Sequence, residues 1–225
     1  MKTYVIGDIH GCYYTLRDVI SKINETIENE DTIVFLGDYF DRGPHNYDVF
    51  LLLNNLGTEI NCETFKTVYL RGNHEQMQLD AMDYRDEEYI WFSNGGEITQ
   101  KQFAENGLKK GKIRKWLEDL PFVYYDKDLD FYCVHSYLPD YALIDTDMLT
   151  YDDKYDCIWQ RKSSHIGKRV FHGHTPHINT VFVNKDDINL DTGCVFGGGL
   201  TFAIVSKNFF TITTVPTNEL DKVKI

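Results

Sequence analysis

Three apolar runs in the first third of the chain each stop at or one residue before a glycine, followed by side chains of the kinds that handle protons or metals. Residues 3–7 (TYVIG) lead into Asp8-Ile9-His10-Gly11. Thr32–Leu36 leads into Gly37-Asp38-Tyr39-Phe40-Asp41-Arg42-Gly43-Pro44, and Thr67–Leu70 into Arg71-Gly72-Asn73-His74-Glu75. Within Tyr13–Ile27, the residues Leu16, Val19, Ile20 and Ile23 recur at helical spacing. Asp48–Leu56 reads as a further helix with Gly57 as its stop. Strands alternating with helices predict parallel βαβ units. Ligands of such sheets bind beyond the carboxyl ends of the strands. Topology alone therefore gathers the three polar clusters into one crevice.

Residues 75–120 are predicted to be helical, with Trp91, Phe92, Ile98, Phe103, Ile113, Trp116 and Leu117 forming apolar stripes. From Phe122 onward β-prone runs dominate: Phe122–Tyr125, Asp130–Val134, Arg169–Phe171, Thr180–Val183, Leu200–Val205 and Phe209–Val215. The expected fold class is α/β: two central sheets packed as a sandwich, flanked by helices, in a single domain spanning 1–225.

Composition narrows the function classes. The formal charge of −12 opposes nucleic-acid backbones. It leaves room for a small phosphorylated substrate if bound metal ions reverse the field locally. No apolar run reaches the ~18 residues that span a bilayer, and MKTYVIGDIHG lacks the apolar stretch of a secretory signal. The expectation is a cytoplasmic protein with no membrane, nucleic-acid or protein partner implied. Cys12, Cys62, Cys133, Cys157 and Cys194 are scattered, odd in number and free of any CxxC, as expected of reduced, mostly buried thiols.

Each cluster has its own chemistry. If extended geometry continues from Asp8 to His10, both side chains project to one side. A hard oxygen and an imidazole facing one point suit a transition metal. A lone Asp-x-His is more often a turn aspartate beside a surface histidine, so the pair carries weight only with the rest. Asp38 ends a very apolar strand, where a carboxylate is costly unless paired or metal-bound. Asn73 and His74 are adjacent and point apart, which predicts different jobs. His135 follows another β-prone run, and Gly173-His174-Thr175-Pro176 follows Arg169–Phe171. Together these residues make an oxygen and nitrogen set large enough for two metals.

The ordered set GDIHG, GDYFDRG, GNHE, VH and GHT resembles the calcineurin-like metallophosphoesterases, in particular the phosphoprotein phosphatase branch. In size the chain resembles the small phage and bacterial serine/threonine phosphatases of lambda type. Ile158-Trp159-Gln160-Arg161 is similar to a Trp-x-Arg segment of that branch. Leu190 to Gly198 (LDTGCVFGG) is similar to its late strand and Gly-rich turn. The resemblance implies that Asp8 and His10 hold one metal, that Asp38 bridges both, and that Asn73, His135 and His174 hold the second. It also implies Mn²⁺, or an Fe/Zn-type pair, as cofactor. One departure is His135-Ser136-Tyr137, where the branch usually has His-Ala-Gly. His172 and His177 are expected not to be ligands, and His45 and His165 to be surface residues.

The mechanism expected of such a centre is direct attack on phosphorus by a hydroxide held between the metals. Arg42 and Arg161, with Asn73, are expected to bind the phosphate, since planar guanidinium groups match its oxygens. Arg71 is a weaker candidate. His74 is the expected general acid, oriented and kept protonated by Asp41. The substrate reading is a phosphoprotein, or a small phosphoester, cleaved by a serine/threonine phosphatase-like hydrolase. The alternative is a dinucleoside polyphosphate (diadenosine tetraphosphate) hydrolase, since related enzymes share these motifs. A scaffold that has lost catalysis should have lost ligands or the acid, and here all seven side chains are present. Specificity is expected in the helical middle and in the loop after His135.

Overall fold

In the computed structural model, which describes residues 1–139 and 149–223, two five-stranded mixed sheets face each other. The first contains β1 (Thr3–Ile6), β2 (Asp31–Phe35), β3 (Phe65–Tyr69), β9 (Leu200–Val205) and β10 (Phe210–Val215), in the order β10-β9-β1-β2-β3. β1, β2 and β3 are parallel, and β9 runs antiparallel to β1. The second contains β4 (Val123–Asp126), β5 (Phe131–Val134), β6 (Arg169–His172), β7 (Phe182–Asn184) and β8 (Asp187–Asn189), in the order β4-β5-β6-β8-β7. Its central strands β5, β6 and β8 are parallel.

Alternation along the strands explains why the runs are apolar throughout. Val5, Val34, Leu36, Phe131, Cys133, Phe171 and Ala203 point between the sheets and form the inner core. Their neighbours Tyr4, Ile6, Ile33 and Phe35 point out of the first sheet against α1 (Tyr13–Asn24) and α2 (Asn46–Asn54). On the outer face of the second sheet, Tyr132, Val134 and Val170 pack on Cys157 of α8 (Tyr151–Trp159). Both faces of each sheet are therefore covered, the condition under which parallel strands read as unbroken hydrophobic runs.

The middle is helical as expected: α4 (Asn73–Asp83), α5 (Glu87–Ser93), α6 (Gly96–Glu105) and α7 (Lys110–Glu118). Two expectations need correction, and one helix goes unread in the sequence. Gly57 does not stop a helix but lies inside the short α3 (Leu56–Glu59), after a break at Asn55. Helix α8 was not anticipated, although Thr150 and Asp153 form a capping box that the sequence displays. The late strand is Asp187–Asn189, short of Leu190, and the Gly-rich segment turns through a single 3₁₀ turn at Cys194–Phe196. Of the loop after His135, residues 140–148 lie outside the described residues. All five cysteines are free thiols, and four of them are buried.

Candidate metal and proton-transfer site

The parallel strands of the two sheets deliver their carboxyl ends to one buried pit. The loop after β1 brings Asp8 and His10, and that after β2 brings Asp38, Asp41 and Arg42. The start of α4 brings Asn73 and His74, β5 brings His135, and β6 brings His174. Asp8, His10, Asp38, Asp41, Asn73, His74, His135 and His174 are all buried.

The backbone bends sharply to do this. Of nine described non-glycine residues with positive φ, five belong to the pit: His10 (46°), Asp38 (52°), Asp41 (72°), Arg42 (66°) and His174 (69°). Such conformations cost about 1–3 kcal/mol each and persist only where surrounding structure enforces them. They also correct one expectation. Extended geometry ends before His10, so Asp8 and His10 are brought round by a left-handed turn and not by the pleat of a strand.

Glu75 holds two of these loops together. Its Oε2 accepts the Asp38 and Gly72 N–H groups at 2.8 and 2.9 Å, and its Oε1 accepts Tyr39 N–H at 3.0 Å. Burial and nearby Asp38 push Glu75 up, and the three N–H groups oppose that rise. Gly72 is needed for the close approach, because a Cβ there would lie 2.2 Å from Asp38 Oδ1. The sequence shows Glu75 in GNHE but gives no hint that its partners lie 36 and 37 residues away.

The tautomers follow from carbonyl partners, which only accept. His10 Nδ1 lies 2.8 Å from Phe40 O and must donate, so its Nε2 presents a lone pair. His135 Nδ1 likewise donates to Leu36 O at 2.9 Å, leaving its Nε2 as an acceptor. Burial lowers the affinity of both rings for a proton: His10 is pushed down to about 4, and His135 is lowered as well. His174, again chiefly by burial, is pushed down to about 3. These neutral rings flank Asp38 symmetrically. Its Oδ2 is 3.4 Å from His10 Nε2 and its Oδ1 is 3.4 Å from His135 Nε2.

Two donor groups result, His10 with Asp38 and His74, and Asp38 with His135 and His174. Asn73 Oδ1 joins the second, 3.0 Å from His135 Nε2 and 2.9 Å from His174 Nδ1. Asp8 is in neither group. Its Oδ2 accepts His174 N–H at 3.0 Å, while Oδ1 is buried without a hydrogen-bond partner. Burial, with Asp191 and Asp38 nearby, pushes Asp8 well above the usual carboxylate range. His74 Nε2 and His174 Nε2 are also buried without hydrogen-bond partners. Buried polar atoms are rarely left so. Acceptors that face each other and carboxylates that crowd each other are the mark of a pit shaped for cations.

Arg42 already brings one positive group there, with Nη1 donating to His10 Nε2 at 2.7 Å. Arg161 is exposed just past α8, close enough for its charge to act on His174, whose ring meets Trp159 edge-on at 6.2 Å. Arg71 is not available. Its guanidinium binds Gln76 Oε1 and the Leu117 and Glu118 carbonyls and stacks on Phe122. His172 faces Asp187 at 3.3 Å and His177 stacks on Phe182, so both lie outside the donor groups. His165 is exposed. His45 is half-buried and bonded to Leu220 O, so it is less of a surface residue than expected. Ser136, in place of alanine, ties the loop after β5 to Gln160 O, with its N–H on Cys157 O at 2.9 Å.

Asp41 Oδ2 accepts His74 Nδ1–H at 2.7 Å. The same carboxylate is gripped by Trp91 and Thr99, which sequence reading assigns respectively to an apolar stripe and to no role.

Comparisons with known proteins agree with this architecture. Serine/threonine-protein phosphatase 1 of Salmonella typhimurium is 32% identical over 214 residues, covering 89% of this chain and 90% of that protein. The asymmetrical bis(5'-nucleosyl)-tetraphosphatase PrpE of Oceanobacillus iheyensis is 28% identical over 242 residues, covering 95% and 93%. Among solved structures, a serine/threonine phosphatase from Saccharomyces cerevisiae shares the fold with a TM-score of 0.65 at 18% identity, covering 97% of this chain and 81% of that one. The sequence model of the calcineurin-like phosphoesterases matches residues 1–204, and the chain belongs to that family.

Proposed function

We propose that this chain is a single-domain phosphomonoesterase built on a dinuclear metal centre and acting on phosphorylated serine and threonine side chains of proteins. The observation that carries the reading is the symmetry about Asp38, each of whose oxygens faces an imidazole lone pair at 3.4 Å. One carboxylate between two neutral histidines suits two cations that share it. His10 and Asp8 would serve one, and Asn73, His135 and His174 the other. This mixed oxygen and nitrogen set suits Mn²⁺ or an Fe/Zn pair. Bound there, two divalent ions supply Lewis-acid stabilisation of the phosphoryl oxygens and lower the pKa of a water toward ~7.

The remaining work falls to the chain. Arg42 reaches into the pit and offers a planar guanidinium to the oxygens on which charge spreads in the transition state. Arg161 and Asn73 complete the phosphate contacts. In its protonated form His74 keeps its Nδ1–H on Asp41 and carries a second proton on Nε2, which no protein group accepts, for the departing oxygen. Asn73 and His74 are buried, so they act where water screens them least.

The similarity to PrpE over 95% of the chain favours a second reading, hydrolysis of a dinucleoside tetraphosphate. A cleft of about 510 Å³ lined by Gln76, Phe122, Tyr155 and Ile158 lies along the same helices as Asn73 and Trp159. Paired assays with a phosphoserine peptide and diadenosine tetraphosphate, in Mn²⁺, separate the two. Faster turnover of the peptide is expected, and exclusive cleavage of the dinucleotide would overturn the phosphatase reading. Turnover of p-nitrophenyl phosphate that persists in EDTA would remove the metal from the account.

A further inference from the structure

Asp41 accepts more hydrogen bonds than a simple partner of His74 needs. Its Oδ2 takes Trp91 Nε1–H at 2.8 Å in addition to His74 Nδ1–H at 2.7 Å. Its Oδ1 takes the Thr99 hydroxyl at 2.6 Å. The same hydroxyl oxygen accepts the Asp41 N–H at 3.0 Å, so Thr99 fixes both the side chain and the main chain of one residue. His74, Asp41, Trp91 and Thr99 are all at least 97% buried.

The segment around Trp91 is shaped to do this. Gly96 lies against the indole so closely that a Cβ would fall 2.3 Å from Nε1. Gly95 O accepts the Arg42 N–H at 3.2 Å, which pins the left-handed residue next to Asp41. A buried indole needs one acceptor, and any main-chain carbonyl would serve. Here the acceptor is the oxygen that holds His74.

We infer that Trp91 and Thr99 are positioning residues for proton donation, clamping Asp41 so that it holds the His74 ring with Nε2 aimed at the leaving oxygen. The inference rests on the phosphomonoesterase reading above. In the step concerned, a water gives up one proton to solvent and its oxygen adds to phosphorus as the bond from phosphorus to the leaving oxygen breaks. The leaving oxygen takes the proton of His74 Nε2, and the imidazolium becomes a neutral imidazole whose Nδ1–H stays on Asp41. A proton from solvent later recharges His74 Nε2. Without the Trp91 N–H or the Thr99 hydroxyl the carboxylate loses one of the two bonds that fix its plane against His74, and Nε2 drifts off line. A misplacement of about an ångström is enough to slow such a transfer strongly.

The test compares leaving groups, because p-nitrophenolate departs unprotonated and a serine alkoxide does not. In Trp91→Phe and Thr99→Val, kcat on a phosphoserine peptide is expected to fall about tenfold or more. On p-nitrophenyl phosphate it should fall about twofold or less, with KM and bound Mn²⁺ unchanged and Thr99→Ser restoring turnover. Equal losses on both substrates, or none, would overturn the inference.

A second measurement does not depend on turnover. The Nδ1 proton of His74, identified by its disappearance from the proton NMR spectrum of His74→Asn, should resist solvent exchange in the wild type and exchange freely in Trp91→Phe. Equal protection in both proteins would also overturn the clamp. If the wild type cleaves neither substrate, the phosphomonoesterase reading falls, and the exchange measurement still decides whether the clamp exists.

Discussion

Asp41 and Arg42 on one wall of the pit, and Trp159 and Arg161 on the other, each bring an arginine, held in different ways. Behind Asp41 stand Trp91 and Thr99, and Arg42 is fixed by Gly95 O through its main chain and by His10 through its guanidinium. The second wall is tied down through Ser136 and the end of α8, but Arg161 itself is exposed and Trp159 and Tyr155 stack at the surface. A buried group with several hydrogen bonds keeps one geometry, while an exposed arginine samples many rotamers. In the proposed phosphomonoesterase, the first wall is the one that places the proton and the phosphoryl group. The second is suited to substrates of varied shape.

The largest effects should come from the floor and the first wall. Asp38→Asn is expected to lose bound Mn²⁺ and to drop kcat by about a thousandfold or more. Asp41→Asn and His74→Asn should lower kcat by about 10²- to 10⁴-fold while keeping the metal. Metal analysis alongside steady-state kinetics separates the two classes, and normal turnover in His74→Asn would end the assignment of its role.

The arginines sharpen the comparison at the next level. Arg42→Ala should reduce kcat about a hundredfold on every phosphomonoester, because it removes a prepositioned charge. Arg161→Ala should cost about tenfold or less, mainly in KM, and by an amount that varies with the substrate. Equal and substrate-independent losses would erase the distinction between the walls.

The smallest effect concerns pH. His10 and His174, pushed down to about 4 and about 3 by burial, regain an ordinary value near ~6.5 on unfolding. As pH falls from ~6.5 to about 4 for His10 and about 3 for His174, the unfolded chain takes up protons that the folded chain refuses, so stability is lost. Asp191, pushed up to about 6 chiefly by burial, acts with the opposite sign as pH rises toward that value. The useful contrast is therefore between proteins. In EDTA, the melting temperature of the wild type should fall more steeply on acidification than that of a His10→Gln/His174→Gln variant. Identical slopes would mean that these rings are not neutral in the folded state.

Much of this molecule is written locally. Strands buried on both faces must be apolar along their length, so β1, β2 and β5 are visible as runs, and the polar residues that stop them are visible as clusters. Helix α1 shows itself through Leu16, Val19, Ile20 and Ile23, all of them buried. Other features were present but weakly coded. Gly57 looks like a terminator and sits inside α3, because four residues carry too little pattern to outweigh a glycine. Helix α8 is marked only by the Thr150 and Asp153 capping box, since its exposed Tyr151 and Tyr155 blur the apolar stripe.

Taken alone, the order of residues settled the βαβ architecture and which polar side chains end its strands, because periodicity and strand-end punctuation are short-range properties; the family was legible as a resemblance of motifs. Only the packed chain decided what those side chains do to one another. Glu75 bridges two loops, and Asp41 finds Trp91 and Thr99 at separations of 50 and 58 residues. A hydrogen bond requires about 3 Å and the right direction, and no local pattern encodes that for partners so far apart along the chain.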